Sequence, residues 1–164
     1  LTPEQVQEVC RQVPDVYPVN FNCPGQVSVS GLAPWIEEFS GKIREMGGRT
    51  IPLKVKGAFH SPFMEKAAEA FARELAGVEF QKPSVVLYSD LTAEPYGEDA
   101  AGLLSRQICS PVQWEKLIRG MIAAGVDTFL EVGPGKTLTN MIRKIDGSAK
   151  AQNYMEYLAE VQQC

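Results

Sequence analysis

The sequence predicts an α/β protein in two unequal parts, and three observations carry that prediction. From His60 onward, long helical patterns are separated by single short apolar strands, the spacing of βαβ crossovers and a parallel sheet. Before His60 the order is helix, strand, strand, helix, strand, which describes most of a small α+β layer lacking one strand. The 164 residues are 45% hydrophobic and 22% charged, which suits a folded chain of one ordinary domain and excludes wholesale disorder.

The elements follow in order. Thr2-Pro3-Glu4-Gln5 has the form of a capping box and starts a helix over Pro3 to Gln12. Val16 to Phe21 and Gln26 to Ser30 read as strands around the turn formers Asn22-Cys23-Pro24-Gly25. Trp35, Ile36, Phe39, Ile43 and Met46 recur at helical spacing over Ala33 to Met46, and Gly47-Gly48 supplies the stop. A strand is expected over Arg49 to Val55, then a helix over Phe63 to Leu75 whose alanines, Phe71 and Leu75 belong to a core. Ser84 to Tyr88 reads as a buried strand and Asp99 to Ile108 as a helix. Ser110-Pro111-Val112-Gln113 has the form of a second capping box, launching a helix to Ala124. Thr128 to Val132 is a strand, Thr137 to Ile145 a helix, and Ala151 to Val161 a terminal helix.

Composition narrows the function. A net charge of −4 without a basic stripe argues against a nucleic-acid binder. No apolar run approaches a membrane span and no signal-peptide pattern opens the chain, so a cytoplasmic protein is expected. Cys10, Cys23, Cys109 and Cys164 form neither a C-x-x-C pair nor a zinc-ligand pattern, so reduced thiols and no metal are expected. Opening at Leu1 in a helix cap, the chain reads as one that begins mid-protein.

His60 is the only histidine. It stands where an extended segment hands over to a helix, with Ser61 as a potential cap and Pro62 in the first turn. Free N–H groups at such a helix start disfavour a second positive charge, which suits an imidazole that accepts protons; the plainer reading is a histidine that packs a turn. A matching nucleophile is missing: no G-x-S-x-G elbow occurs, and no cysteine lies in a glycine-rich elbow. Gly133-Pro134-Gly135-Lys136 invites comparison with a phosphate loop, but a Walker loop needs glycine where Leu130 stands. It is better read as a strand-to-helix turn, with Lys136 solvated or near an anion. Gln107, near a helix end, and Asn20, Asn22 and Gln26, around a turn, have ordinary surface or turn roles on local grounds.

Five runs in series change that weighting: VNFNCPGQVSVSG from Val19, GAFHSPFM from Gly57, LYSDLTA from Leu87, RQICSPVQW from Arg106 and FLEVGPGKTLTNMI from Phe129. Together they resemble the malonyl-CoA:acyl carrier protein transacylase family over nearly the whole chain. The resemblance implies an α/β-hydrolase-like acyltransferase core, of which residues 57–164 would be the C-terminal part. Residues 1–56 would be a ferredoxin-like subdomain lacking its first strand. It implies malonyl transfer from malonyl-CoA to the phosphopantetheine thiol of acyl carrier protein by a Ser/His ping-pong route in fatty acid synthesis, with no separate cofactor. His60 would be the base, oriented by an acceptor at Gln107, either its side chain or its main-chain carbonyl. Asn22 and Gln26 would line the pantetheine or acyl channel, Arg49 would approach the coenzyme A phosphates, and Phe59 would favour malonyl over branched acyl groups.

The family's serine elbow, carboxylate-binding arginine and oxyanion loop have no counterpart in this sequence. A complementary N-terminal polypeptide is therefore an expected partner. A noncatalytic module that binds carrier protein or coenzyme A, and an acyltransferase domain of a polyketide synthase, are the alternative expectations.

Overall fold

A computed structural model describes residues 1–55 and 57–162. Lys56, at the expected boundary between the two parts, and Cys164 lie outside the described residues.

The chain begins with α1 (Pro3–Gln12), capped as expected: the Thr2 hydroxyl accepts from the Gln5 N–H at 3.3 Å, and the Gln5 side chain accepts from the Thr2 N–H at 2.8 Å. β1 (Val16–Cys23) and β2 (Gln26–Gly31) pair antiparallel, from Val16 opposite Gly31 to Cys23 opposite Gln26. The turn between them uses Gly25 at φ 74°, a left-handed conformation glycine adopts without strain. α2 (Ala33–Glu45) lays Phe39 and Ile43 against Val6, Val9, Cys10, Val13 and Val16, which form the first core.

After a short 3₁₀ turn at Pro62–Met64 come α3 (Glu65–Leu75), α4 (Ala100–Gln107) and α5 (Trp114–Ala123). β3 (Thr128–Glu131), α6 (Thr137–Ile145) and β4 (Lys150–Asn153) form a β-α-β unit whose strands pair parallel, and α7 (Tyr154–Val161) closes the described chain. A second core gathers Leu117, Ile118, Ile142, Ile145, Ala93 and Ala151 around Cys23. β1 joins the two cores, since Val16 belongs to the first and Cys23 to the second.

Several expectations are corrected. Residues 49–55 and 84–87 are not strands; Ile51, Leu53, Val55, Val85, Val86 and Leu87 are exposed, and of the second segment only Tyr88 forms a bridge, to Pro95. Their sequence favours extension, but without a neighbouring strand there is no ladder to join. The box Ser110 to Gln113 does not cap a helix. Val112 instead docks beside β1, donating its N–H to the Val19 carbonyl and accepting from the Phe21 N–H, both at 2.9 Å, and α5 starts at Trp114. Tertiary pairing overrides the local capping pattern there. The expected terminal helix yields its first three residues to β4 because Ala151 to Asn153 pair with Phe129 to Glu131. Ser61 precedes the 3₁₀ turn but makes no side-chain cap; its hydroxyl donates to the Ala58 carbonyl at 2.5 Å.

Candidate active site

His60 lies between the exposed stretch 49–55 and the 3₁₀ turn that leads into α3. Its backbone is left-handed, φ 62°, a conformation rare outside glycine and concentrated at functional sites. Two contacts to the end of α4 hold it. The His60 N–H donates to the Ile108 carbonyl at 3.1 Å, and ring Nδ1 lies 2.8 Å from the Gln107 carbonyl oxygen. A carbonyl only accepts, so this contact places the proton on Nδ1 and leaves Nε2 as the nitrogen of a neutral ring that can take one. Gln107 is the last residue of α4, where main-chain carbonyls lack helical partners and carry the negative end of the helix dipole. The next residue, Ser61, is fully buried, and His60 itself is half-buried.

The remaining expected residues are placed as follows. Phe59 is 55% exposed beside His60, its ring against Gly57 in the space a Cβ there would fill. Arg49 is exposed just beyond α2. Asn22 is buried in β1 and donates to the Ser28 hydroxyl at 3.0 Å; Gln26 is exposed at the start of β2, where its side-chain oxygen accepts from the Cys23 thiol at 3.7 Å. Among the described residues, the structure joins His60 to Gln107 by a hydrogen bond but joins neither to Asn22, Gln26 or Arg49.

The thiols within the cores do not offer a nucleophile. Burial pushes the Cys10 thiol up to about 11 and raises that of Cys23 as well, so neither supplies thiolate readily. Among the described residues, no group of three or more His, Cys, Asp and Glu side chains is arranged to hold a metal, and no helix is long and apolar enough to cross a membrane.

The loop Gly133 to Lys136 is tied from three sides. The Asn153 amide donates to the carbonyls of Gly133 at 2.9 Å and Gly135 at 2.6 Å, a conformation allowed by glycines at φ 147° and 88°. The Glu131 carboxylate accepts from the Leu138 N–H at 3.1 Å, the Thr139 N–H at 2.8 Å and the Thr139 hydroxyl at 2.7 Å, capping α6. Burial alone would raise this carboxyl, but donors from Thr139 and Leu138 outweigh it and hold the group below the usual carboxylate range. Lys136, its side chain 52% exposed, pairs with Glu156.

Two contacts escape sequence reasoning. One is Asn153 on the loop it ties; a lone asparagine before a helix signals a cap, which it also is, accepting from the Met155 N–H at 2.9 Å, but nothing local announces the second task. The other is the Tyr96 hydroxyl, 3.3 Å from the Gln107 side-chain oxygen; Pro95-Tyr96-Gly97 signals a turn and nothing more.

The acyl transferase domain family matches residues 1–160. The malonyl CoA-acyl carrier protein transacylase of Bacillus subtilis is 40% identical over 134 residues, covering 80% of this chain and 42% of its own. The crystal structure of the Clostridium perfringens malonyl CoA-acyl carrier protein transacylase superposes with a TM-score of 0.93 at 34% identity, over 99% of this chain and 55% of that one. A malonyl transacylase solved in complex with a type II polyketide acyl carrier protein gives a TM-score of 0.91 at 28% identity, over 100% of this chain and 56% of its own. The chain thus spans about half the length of the relatives it matches.

Proposed function

This chain belongs to the acyl transferase domain family, and on that premise we propose that it carries the histidine base of a malonyl transfer from malonyl-CoA to the phosphopantetheine thiol of an acyl carrier protein, as in fatty acid synthesis. The observation that carries the proposal is the 2.8 Å contact of His60 Nδ1 with the Gln107 carbonyl, which turns Nε2 into the working nitrogen. Identity of 40% to a malonyl CoA-acyl carrier protein transacylase supports the substrate class.

The nucleophile is a serine on a complementary N-terminal polypeptide. His60 Nε2 removes the hydroxyl proton as oxygen attacks the malonyl thioester, and the imidazolium returns that proton to the coenzyme A sulfur as the C–S bond breaks. The malonyl ester is then opened by the carrier thiol, whose proton passes through Nε2 to the serine oxygen. Support for the complementary polypeptide comes from the half-length match and from the exposed apolar stretches 49–55 and 84–87, which have the character of strands awaiting neighbours.

Phe59 next to the base narrows the acyl site toward an unbranched malonyl group, a discrimination of about 1–3 kcal/mol per methyl. Arg49, exposed and cationic, meets the coenzyme A phosphates, and Asn22 and Gln26 belong to the pantetheine or acyl channel. We place the boundary between the ferredoxin-like subdomain and the core at residues 56/57. Malonyl-CoA is substrate here, and no further cofactor is assigned.

The test combines the chain with the complementary half of a relative, adds malonyl-CoA and follows intact masses, then transfer to carrier protein. A malonyl ester on the complementary half, with transfer falling about 10²- to 10⁴-fold in His60→Ala, is the expected result. Carrier binding unchanged by that substitution, with no transfer under any condition, would establish a noncatalytic binding module instead. An acyltransferase domain of a polyketide synthase would be revealed by preference for carriers of that pathway class.

A further inference from the structure

We propose that Tyr96 is a positioning residue for His60, acting through Gln107. The inference rests on the reading of His60 as the base but concerns a different residue and a different contact.

The carbonyl that receives His60 Nδ1 belongs to the last residue of α4. Helix ends fray, and a carbonyl there is held only by whatever lies outside the helix. A base oriented by such an acceptor is no better fixed than the acceptor itself. Gln107 is held at two points outside the helix: its carbonyl also accepts from the Ser110 N–H at 3.4 Å, and its side-chain oxygen receives the Tyr96 hydroxyl at 3.3 Å.

Tyr96 is itself held by the hydrogen bonds of a turn. Its N–H donates to the Leu87 carbonyl at 2.8 Å, the neighbouring Tyr88 and Pro95 form a bridge, and within the turn the Ser89 N–H reaches the Glu94 carbonyl at 2.9 Å and the Ala93 N–H reaches the Ser89 carbonyl at 2.8 Å. Ser89 is fully buried at its base. A continuous path therefore runs from this turn through the phenol to the Gln107 side chain, across the residue to its carbonyl, and on to the imidazole. Because 3.3 Å is long for an O–H···O bond, the hydroxyl's influence is graded rather than absolute.

What the path controls is which ring nitrogen holds the proton. With the Gln107 carbonyl in place the neutral ring keeps its proton on Nδ1; as that carbonyl loosens, the preference relaxes. The sole histidine makes this directly measurable, because ¹⁵N-histidine labelling of the full chain gives one imidazole and its nitrogen resonances report the tautomer ratio at alkaline pH.

Tyr96→Phe keeps the ring and removes the hydroxyl. It is expected to lower the Nδ1–H to Nε2–H ratio about threefold, the order a lost neutral hydrogen bond moves an equilibrium. Gln107→Leu keeps the carbonyl and removes the side-chain acceptor; it is expected to give the same shift, and the double substitution no more than either alone, as members of one path behave. In the transfer assay, Tyr96→Phe is expected to lower kcat about threefold and leave KM unchanged. A ratio unmoved by Tyr96→Phe, or moved only by Tyr96→Ala, would reduce the tyrosine to packing and overturn the proposal. The two readings fail separately. Undiminished transfer by His60→Ala removes the base assignment whatever the tautomer does, whereas an inactive His60→Ala with an insensitive tautomer removes only Tyr96.

Discussion

The layer built from α1, β1, β2 and α2 closes on itself, whereas the stretches 49–55 and 84–87 stand open, although both carry β-branched and leucine residues in extended runs. In the layer each strand has a neighbour and each apolar helix face a partner, so Val9, Val13, Val16, Phe39 and Ile43 are nearly sealed from solvent. In the open stretches Val86 is 71% and Leu53 66% exposed. The difference teaches that a strand belongs to a pair. Extension costs backbone entropy that only a ladder and a covered face offset.

Substitutions at the two kinds of site are the most direct way to break this contrast. Phe39→Ala, in the closed layer, is expected to destabilise the chain by about 3–5 kcal/mol in urea unfolding; a loss no larger than that of a surface residue would mean the layer is not a packed core. Asn153→Ala unties two loop carbonyls and is expected to cost about 1–3 kcal/mol, with faster amide exchange confined to the Gly133 loop and the start of α6.

The neighbouring Glu131 gives the same region a pH signature. Its folded carboxyl lies below the usual range, so its contribution is fully present above the unfolded value near about 4.3 and is lost as pH falls through the folded value. Stability measured from neutral to acid pH should therefore fall in that window, and Glu131→Gln should flatten that part of the curve while lowering the neutral plateau. Thr2→Ala removes one cap contact and is expected to cost about 0.5–2 kcal/mol, readable as a lower melting temperature.

The smallest effect sharpens the contrast most. Val86→Ala should change the stability of the chain alone by less than about 0.5 kcal/mol, because little of that side chain is buried. Val86→Asp should be equally harmless to the chain alone yet weaken its binding to the complementary half of a relative. Equal binding by both variants would deny the open stretch a role in assembly.

Much of the layer was legible residue by residue. Thr2 and Gln5 announce the first helix, whose bounds agree with the structure, and the helical stripe through Phe39 and Ile43 identifies the face that becomes core. His60 was legible as a candidate because a lone histidine stands before Ser61-Pro62, and Gln107 only through resemblance. Neither the left-handed backbone of His60 nor the support of Gln107 by Tyr96 could be read, since contacts between residues 60, 96 and 107 depend on how the chain folds back.

Local signals misled where a distant partner intervened. Ser110 to Gln113 satisfies a capping pattern, but Val112 finds β1; Ala151 to Asn153 would continue a helix, but β3 offers a parallel ladder. Residues 49–55 show the converse, a strand pattern that finds no ladder. By itself the sequence determined the α/β class, most helices, the hairpin and the identity of the single imidazole, because caps, turns and periodicity act over a few residues. Only the tertiary structure decided which extended segments become strands, which carbonyl meets His60 and which nitrogen of its ring is left without that partner, because those outcomes depend on groups far apart in sequence that packing brings within hydrogen-bond reach.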